Sequence, residues 1–241
     1  MISRRLLAGS TLTGAIFGLA GISATRSDAS IRFIGRQRTI VALLDTGSER
    51  VIFVLGDRDD QLLADITGLT TIGNTRIDMV VASYRVLATQ AAREHLRINS
   101  TTTISVQSNL SLPPIRGQVS PLTQIADITL GDATSMRLTP VTDIDEEAHF
   151  VADIVSYGVR IILAGQDGAV RFSRSSSCDL LAIPGRPDTR TVSNVHPQVL
   201  VCNSPNKDQI SINQIQVFRT DPQVVRIGDG RISFRDDQLS S

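Results

Sequence analysis

The chain contains no tryptophan, and aromatic residues make up only 4% of its 241 residues. Apolar residues nevertheless reach 41%, so a folded core has to be built from Ile, Val, Leu and Ala. Lys207 is the only lysine. The 24 cationic residues balance 24 acidic ones without forming a basic block, which gives no support for nucleic-acid binding.

Histidine and cysteine are also scarce. The three histidines, His95, His149 and His196, lie in unrelated segments, and each is expected to be a surface or hydrogen-bonded structural residue. Cys178 and Cys202 lie at opposite ends of two predicted neighbouring strands, about 15 Å apart at the usual rise, which is too far for a disulfide. Two free, buried thiols are therefore predicted.

Residues 1–29 are typical of an export signal. Arg4 and Arg5 precede a weakly apolar run over residues 6–24, and the pair of arginines resembles a twin-arginine signal. Cleavage after Ala24 or after Ala29 suits a small-residue rule. An uncleaved membrane anchor is the alternative.

Residues 30–241 are predicted to form a single domain. Removal of residues 1–29 leaves 21 cationic and 23 acidic residues, a net charge of −2. The predicted location is beyond the cytoplasmic membrane, in the periplasm, at the cell surface or outside the cell. Contact with the membrane is expected only through an uncleaved signal.

Strand-like runs dominate the domain, and helices are few and short. Residues 38–45 and 50–56 flank a glycine-containing loop and predict a hairpin. The apolar run 77–83 predicts a strand covered on both faces, helical spacing follows over 86–98, and the proline-rich residues 108–124 predict an irregular loop. Other strands are predicted at 101–107, 125–130, 137–141, 149–156, 159–164, within 178–185 and 197–204, and at 214–220, 223–227 and 231–235, with short helices within 59–66 and 167–177.

Six segments of the chain carry a resemblance in their order and spacing. They are TIVALLDTG (39–47), IDMVVAS (77–83), AHFVADIVSYGVRIILAGQD (148–167), CDLLAIPG (178–185), VHPQVLVCNS (195–204) and VFRTD (217–221). Together they resemble the metallo-β-lactamase fold, and more narrowly the soluble β-lactamase-like C-terminal domain of bacterial competence (DNA-internalisation) proteins. The resemblance implies an α/β fold, a four-layer αββα sandwich of two mixed sheets, with its site at one edge of both sheets.

The resemblance also implies a zinc site, whose first ligand motif can be compared with this chain. The family's H-x-H-x-D-H pattern falls on Tyr84, Val86, Ala88 and Thr89. Val86 and Ala88 have no donor atom, and Tyr84 and Thr89 are poor zinc ligands. The sequence therefore keeps the strand and the helix that carry this motif in the family, but it does not keep the zinc ligands.

The later ligand positions are altered as well. The family's bridging aspartate follows a glycine, but Gln166 separates Asp167 from Gly165 here, so either Gln166 or Asp167 takes that position. A further family histidine would fall near residues 183–185, which contain none. His149 lies in the region of another family histidine without a clear match.

Two other segments of the sequence resemble functional sites. Asp45, Thr46 and Gly47 match the D-T-G triplet of aspartic proteases, but a second triplet would be needed, and capping of a turn by Asp45 explains the residue structurally. The acidic run 143–147 lacks the alternating oxygen ligands of a calcium loop and is interpreted as a solvated hairpin edge.

The favoured hypothesis is an exported, metal-free and catalytically inactive domain that needs no cofactor and acts as a binding or structural module, with another envelope protein or a surface ligand as the partner. The alternative hypothesis is a hydrolase with a rearranged or mononuclear zinc site. That site would lie near Asp45, Tyr84, Arg85, Asp167 and Arg186.

Overall fold

The computed structural model describes residues 28–57, 59–64, 66, 76–88, 94–96, 103–107, 117–142, 148–172, 177–203, 213–216 and 222–234. Two β-sheets form its centre. Eight of the described strands form the first sheet, and seven form the second. Within the described residues, no helix is long and apolar enough to span a membrane.

The strands of the first sheet are β1 (Ala29–Arg36), β2 (Thr39–Asp45), β3 (Arg50–Gly56), β4 (Met79–Ser83), β5 (Thr103–Gln107), β6 (Gln118–Pro121), β14 (Gln223–Gly228) and β15 (Arg231–Phe234). Those of the second are β7 (Ala126–Leu130), β8 (Thr134–Thr142), β9 (Ala148–Ser156), β10 (Val159–Ala164), β11 (Leu180–Ala182), β12 (Val199–Cys202) and β13 (Asn213–Gln216). The helices are α1 (Asp60–Ala64), α2 (Tyr84–Leu87), a 3₁₀ helix (Asp167–Phe172) and α3 (Thr189–Val195).

The strand order is β15-β14-β1-β2-β3-β4-β5-β6 in the first sheet and β13-β12-β11-β10-β9-β8-β7 in the second. Each sheet has an antiparallel half and a parallel half. Strands β3 to β6 are parallel in the first sheet, and β10 to β13 are parallel in the second. We call the edge at which these parallel strands end the carboxyl edge, and the opposite one the amino edge. The carboxyl ends of parallel strands are where α/β sheets usually bind ligands.

Three apolar clusters fill the spaces between the layers of sheets and helices. The largest lies between the sheets and includes Phe33, Phe53 and Phe150, which are almost completely buried. An outer cluster on the first sheet contains Leu62 of α1 and Val86 of α2, and a second outer cluster is covered by α3 and the 3₁₀ helix. Helices on both outer faces of two mixed sheets confirm the predicted αββα sandwich.

Most of the predicted elements are confirmed. The β2–β3 hairpin runs in register from Asp45 opposite Arg50 to Thr39 opposite Gly56. A two-residue turn with positive φ at Tyr157 and Gly158 joins β9 to β10, as a tight hairpin requires. The prediction that 108–124 is entirely irregular is wrong, because β6 pairs there with β5 at the sheet edge.

Both cysteines are free and buried, as predicted. They pack in the outer cluster of the second sheet, and the register of β11 with β12 sets them at opposite ends of the two strands. Burial raises the pKa of the Cys178 thiol to about 12. This thiol is therefore protonated, and hence a weak nucleophile, at physiological pH.

Candidate functional site

The carboxyl edges of the two sheets are joined by one buried side chain, Asn203, directly after β12. Its Nδ2 donates to the carbonyl oxygen of Thr39 at 2.9 Å, and its Oδ1 accepts from the backbone N–H of Gly185. A Cβ built on Gly56 would lie 3.0 Å from Cγ of Pro184. Strand ends of both sheets therefore meet here.

The junction between β4 and α2 also lies at the carboxyl edge. Val86 is fully buried in the outer cluster of the first sheet, and Tyr84 packs against the same cluster. Arg85 is exposed, and Ala88 is half-buried at the end of α2. Of the positions that match the family's ligand motif, Tyr84 and Val86 therefore contribute to outer packing, and Thr89 lies outside the described residues.

The second sheet contributes His149 and Gly165 to this edge. His149 is buried at the start of β9, and a Cβ built on Gly165 would lie 3.3 Å from its Nδ1. Because β9 is antiparallel to β10, with Val151 opposite Ala164, His149 lies level with the end of β10. His149 had no clear match to a family histidine in the sequence, and its position beside Gly165 was not predicted.

Asp167 and Gln166 follow at the end of β10. The Oδ2 atom of Asp167 accepts a hydrogen bond from the Thr191 hydroxyl at 3.0 Å, which ties the 3₁₀ helix to α3. Burial raises the pKa of the Asp167 carboxyl above its usual value, while hydrogen bonds from Thr191 and the Asp188 backbone oppose the shift. Asp167 is thus engaged with α3, and Gln166 is half-buried beside it.

The grouping of Asp45 with Tyr84 in one rearranged site is wrong. Asp45 pairs with Arg50 at the start of β3, whereas Tyr84 is level with the end of β3 at Gly56. Six residues of strand separate the two levels, about 20 Å at the usual rise. Asp45 therefore lies at the amino edge. Asp57 is the aspartate that directly follows the end of β3, the strand that pairs with β4.

Asp45 has the structural role anticipated for it. Its Oδ1 accepts from the Gly47 N–H at 3.0 Å, and its Oδ2 is 2.9 Å from both Nε and Nη2 of Arg50. A carboxylate held by a turn and a bidentate arginine is not arranged as the general base of an aspartic protease. The acidic run 143–147, considered for calcium, lies outside the described residues.

The residues at the carboxyl edge do not fit the zinc site implied by the fold. Val86 offers only a buried hydrocarbon side chain, and Asp167, whose Oδ2 accepts from Thr191, has only its Oδ1 left to offer a metal ion. His196 ends α3 just before β12 begins, at the amino edge, and His95 is exposed. No group of three or more His, Cys, Asp or Glu side chains is arranged to hold a metal ion in the described part of the chain.

The exposed arginines at the carboxyl edge include Arg38 in the β1–β2 turn, Arg85 in α2 and Arg186 after β11. Sequence reasoning identified Arg85 and Arg186 but missed Arg38 and Asn203. Asn203 directly follows a predicted parallel strand, which is the signal that could have found it. Arg38 gave no local signal, because only the pairing of β2 with β3 brings it to this edge.

No family model and no curated protein matches the chain. Among solved structures, it is similar to the metallo-β-lactamase fold protein YhfI from Bacillus subtilis, with a TM-score of 0.59 and 13% identity over 83% of this chain and 99% of that chain. Human tRNase Z, short form, has a TM-score of 0.44 and 11% identity over 82% of this chain and 99% of that chain. Rm3 metallo-β-lactamase has a TM-score of 0.38 and 10% identity over 58% and 60% of the two chains.

The similarity to YhfI supports one conclusion, since identity at this level shows the fold alone. The strand order, the three apolar clusters and the meeting of both carboxyl edges agree with it. The chain therefore has the metallo-β-lactamase fold.

Proposed function

We propose that this chain is an exported binding module that uses the metallo-β-lactamase fold without its metal chemistry. The observation that supports the proposal is the second ligand position, where Val86 is 0% exposed in the outer apolar cluster. A metal ligand at this position would need a side chain with a donor atom, and that side chain would have to point out of the cluster. The β4–α2 junction therefore does not support metal-dependent catalysis.

Binding remains the function that the geometry supports best. The carboxyl edge keeps the parallel strand ends of both sheets side by side, joined by Asn203, and such an edge is the usual ligand site of layered α/β folds. The proposed partner is another envelope protein or a surface ligand. The balanced charge of the chain, 24 cationic against 24 acidic residues, does not favour DNA, despite the sequence resemblance to competence proteins.

One observation favours the alternative, a hydrolase with a mononuclear zinc site. His149 is buried beside Gly165 at the carboxyl edge, where an imidazole would be able to act as a metal ligand. A mononuclear site needs at least two further ligands, and the described residues hold no group of three. The binding module is therefore the preferred function.

Metal analysis of the purified mature protein after gel filtration tests the proposal. We expect no stoichiometric zinc, manganese or iron in the wild type or in His149→Ala. Stoichiometric metal in the wild type that disappears in His149→Ala would refute the metal-free proposal and favour the hydrolase. Substitution of His196, at the amino edge, by Ala is the matched control, since it should not change the metal content under either function.

A further inference from the structure

A shallow cavity of about 250 Å³ lies on the outer face of the second sheet, where residues of β7, β8, β9 and β10 line it. Strand register explains its floor, because Thr129, Ser135 and Val155 lie side by side on three neighbouring strands. Met136 and Ile154, which are their neighbours along the chain, pack in the cluster between the sheets, so the floor residues face outward. These three side chains are short and exposed, and they leave a depression in the sheet surface.

Two ion pairs form the rim of this depression. The carboxylate of Asp127 accepts from Nε and Nη2 of Arg137, both at 2.6 Å. The carboxylate of Asp153, which is 6% exposed, accepts from Nε and Nη2 of Arg160 at 3.0 and 2.5 Å. Bidentate contacts of this kind fix the plane of each guanidinium group, and they leave its Nη1 amino group to donate to a ligand.

The charges around the cavity favour a ligand without net charge. Each arginine of the rim is matched by an aspartate in an ion pair. Neighbouring segments add only negative charge, since Asp132 lies in the β7–β8 turn and Asp179 lies just before β11, where it accepts from the backbone N–H of Arg160. An anion is therefore disfavoured by the surrounding acids, and a cation is disfavoured by the guanidinium groups of the rim.

The polar groups of the cavity match the hydroxyl groups of a sugar. The hydroxyls of Thr129 and Ser135 both donate and accept, the carboxylates accept, and the guanidinium groups donate. Sugar hydroxyls also donate and accept, whereas the C–H face of a sugar ring is apolar and suits the exposed side chain of Val155. The volume of the cavity is below the roughly 300–1,000 Å³ of ordinary ligand pockets, which limits the occupant to one small unit.

We propose that this cavity binds one neutral sugar ring. The hydroxyls of Thr129 and Ser135 and the Nη1 groups of Arg137 and Arg160 hold the sugar hydroxyls, and Val155 packs against the C–H face of the ring. Arg160 is the second residue of β10, so the cavity lies nearer the amino edge than the carboxyl edge. The inference therefore concerns a second surface and goes beyond the binding proposed for the carboxyl edge.

Saturation-transfer NMR of the mature protein tests the inference, with D-glucose, D-galactose and maltotriose as separate probes. We expect saturable transfer to the ring protons of at least one probe, and inorganic phosphate should not displace it. Thr129→Val removes one hydroxyl at nearly constant shape and should weaken binding at least about threefold. Ser135→Leu also fills the floor and should weaken it at least about tenfold. Thr139→Val is the matched control, because Thr139 lies on the outer face of β8 but does not line the cavity.

Transfer to a monosaccharide alone assigns a free sugar, and transfer to the terminal ring of maltotriose assigns the end of a glycan chain. Absence of saturable transfer to all three probes would overturn the inference, as would displacement by phosphate or equal weakening by Thr139→Val. Unchanged thermal melting of each variant shows that a lost signal is not unfolding. Stoichiometric metal with intact sugar binding would refute only the proposed function, whereas a metal-free protein without sugar binding would refute only the sugar site.

Discussion

Replacement of Asn203 by Ala tests whether one side chain holds the two carboxyl edges together. Asn203 is 3% exposed, and its removal takes away one hydrogen bond to the Gly185 N–H and one to the Thr39 carbonyl. Loss of a hydrogen bond costs about 0.5–1.5 kcal/mol net, which gives roughly 1–3 kcal/mol for the two. At roughly 2–4 °C per kcal/mol for a domain of this size, Tm should fall by at least about 2 °C.

Replacement of Asn203 by Asp separates the two hydrogen bonds. The introduced carboxylate can still accept from Gly185, but its second oxygen faces the Thr39 carbonyl, which is 2.9 Å from Nδ2 in the wild type. Burial and this repulsion raise the folded-state pKa of the introduced carboxyl above its unfolded value. Stability is then greatest below the unfolded pKa and is lost as pH rises through the folded pKa, so the deficit against wild type should be larger at pH 8 than at pH 4.

Urea unfolding followed by circular dichroism measures both effects. Asn194 of α3 is exposed and gives the matched controls, Asn194→Ala and Asn194→Asp, which should change the free energy of unfolding by no more than about 0.5 kcal/mol. The reasoning is refuted if Asn203→Ala costs no more than its control. A deficit of Asn203→Asp that is independent of pH would refute the contact with Thr39.

The remaining predictions concern packing, reactivity and processing. Val86→His should lower the free energy of unfolding by about 1–3 kcal/mol, because it places a polar ring in an apolar cluster. Added zinc should not restore the stability in thermal melts, and restoration by zinc would show that the position can act as a ligand. Cys178, with a thiol pKa of about 12, should resist alkylation at pH 8 in the native protein and react in urea, and fast native labelling in peptide mapping would contradict its burial. Export should be followed by cleavage after Ala24, because cleavage after Ala29 would remove Ala29, which is fully buried and pairs with Ile227. Mass spectrometry that finds Ser30 at the mature N-terminus would refute this prediction.

The elements best predicted from sequence are those specified by local pattern. The β2–β3 hairpin and β4 have apolar runs bounded by a glycine turn or a charged residue, and the structure confirms both. β6 was missed because its four residues are all exposed and include Pro121. β1 was not predicted, since the sequence reasoning took its strands from Arg38 onward.

The site was harder to predict because it depends on pairing between distant strands. The chain reverses at Gly47, so the end of β3 that lies beside β4 is Gly56, and Asp45 is carried to the other edge. The hydrogen bond from Asn203 to Thr39 joins residues 164 positions apart. The strand pairing and this hydrogen bond cannot be predicted from neighbouring residues in the sequence. The lack of zinc ligands at Val86 and Ala88 can, because it depends only on the chemistry of the two side chains.

Calorimetric titration of zinc into metal-stripped mature protein tests the central claim most directly. The account predicts no saturable zinc binding at the carboxyl edge, and no difference between the wild type and His149→Ala. Stoichiometric zinc binding that His149→Ala abolishes and His196→Ala leaves unchanged would contradict it, and would show that the metal site of the fold is retained.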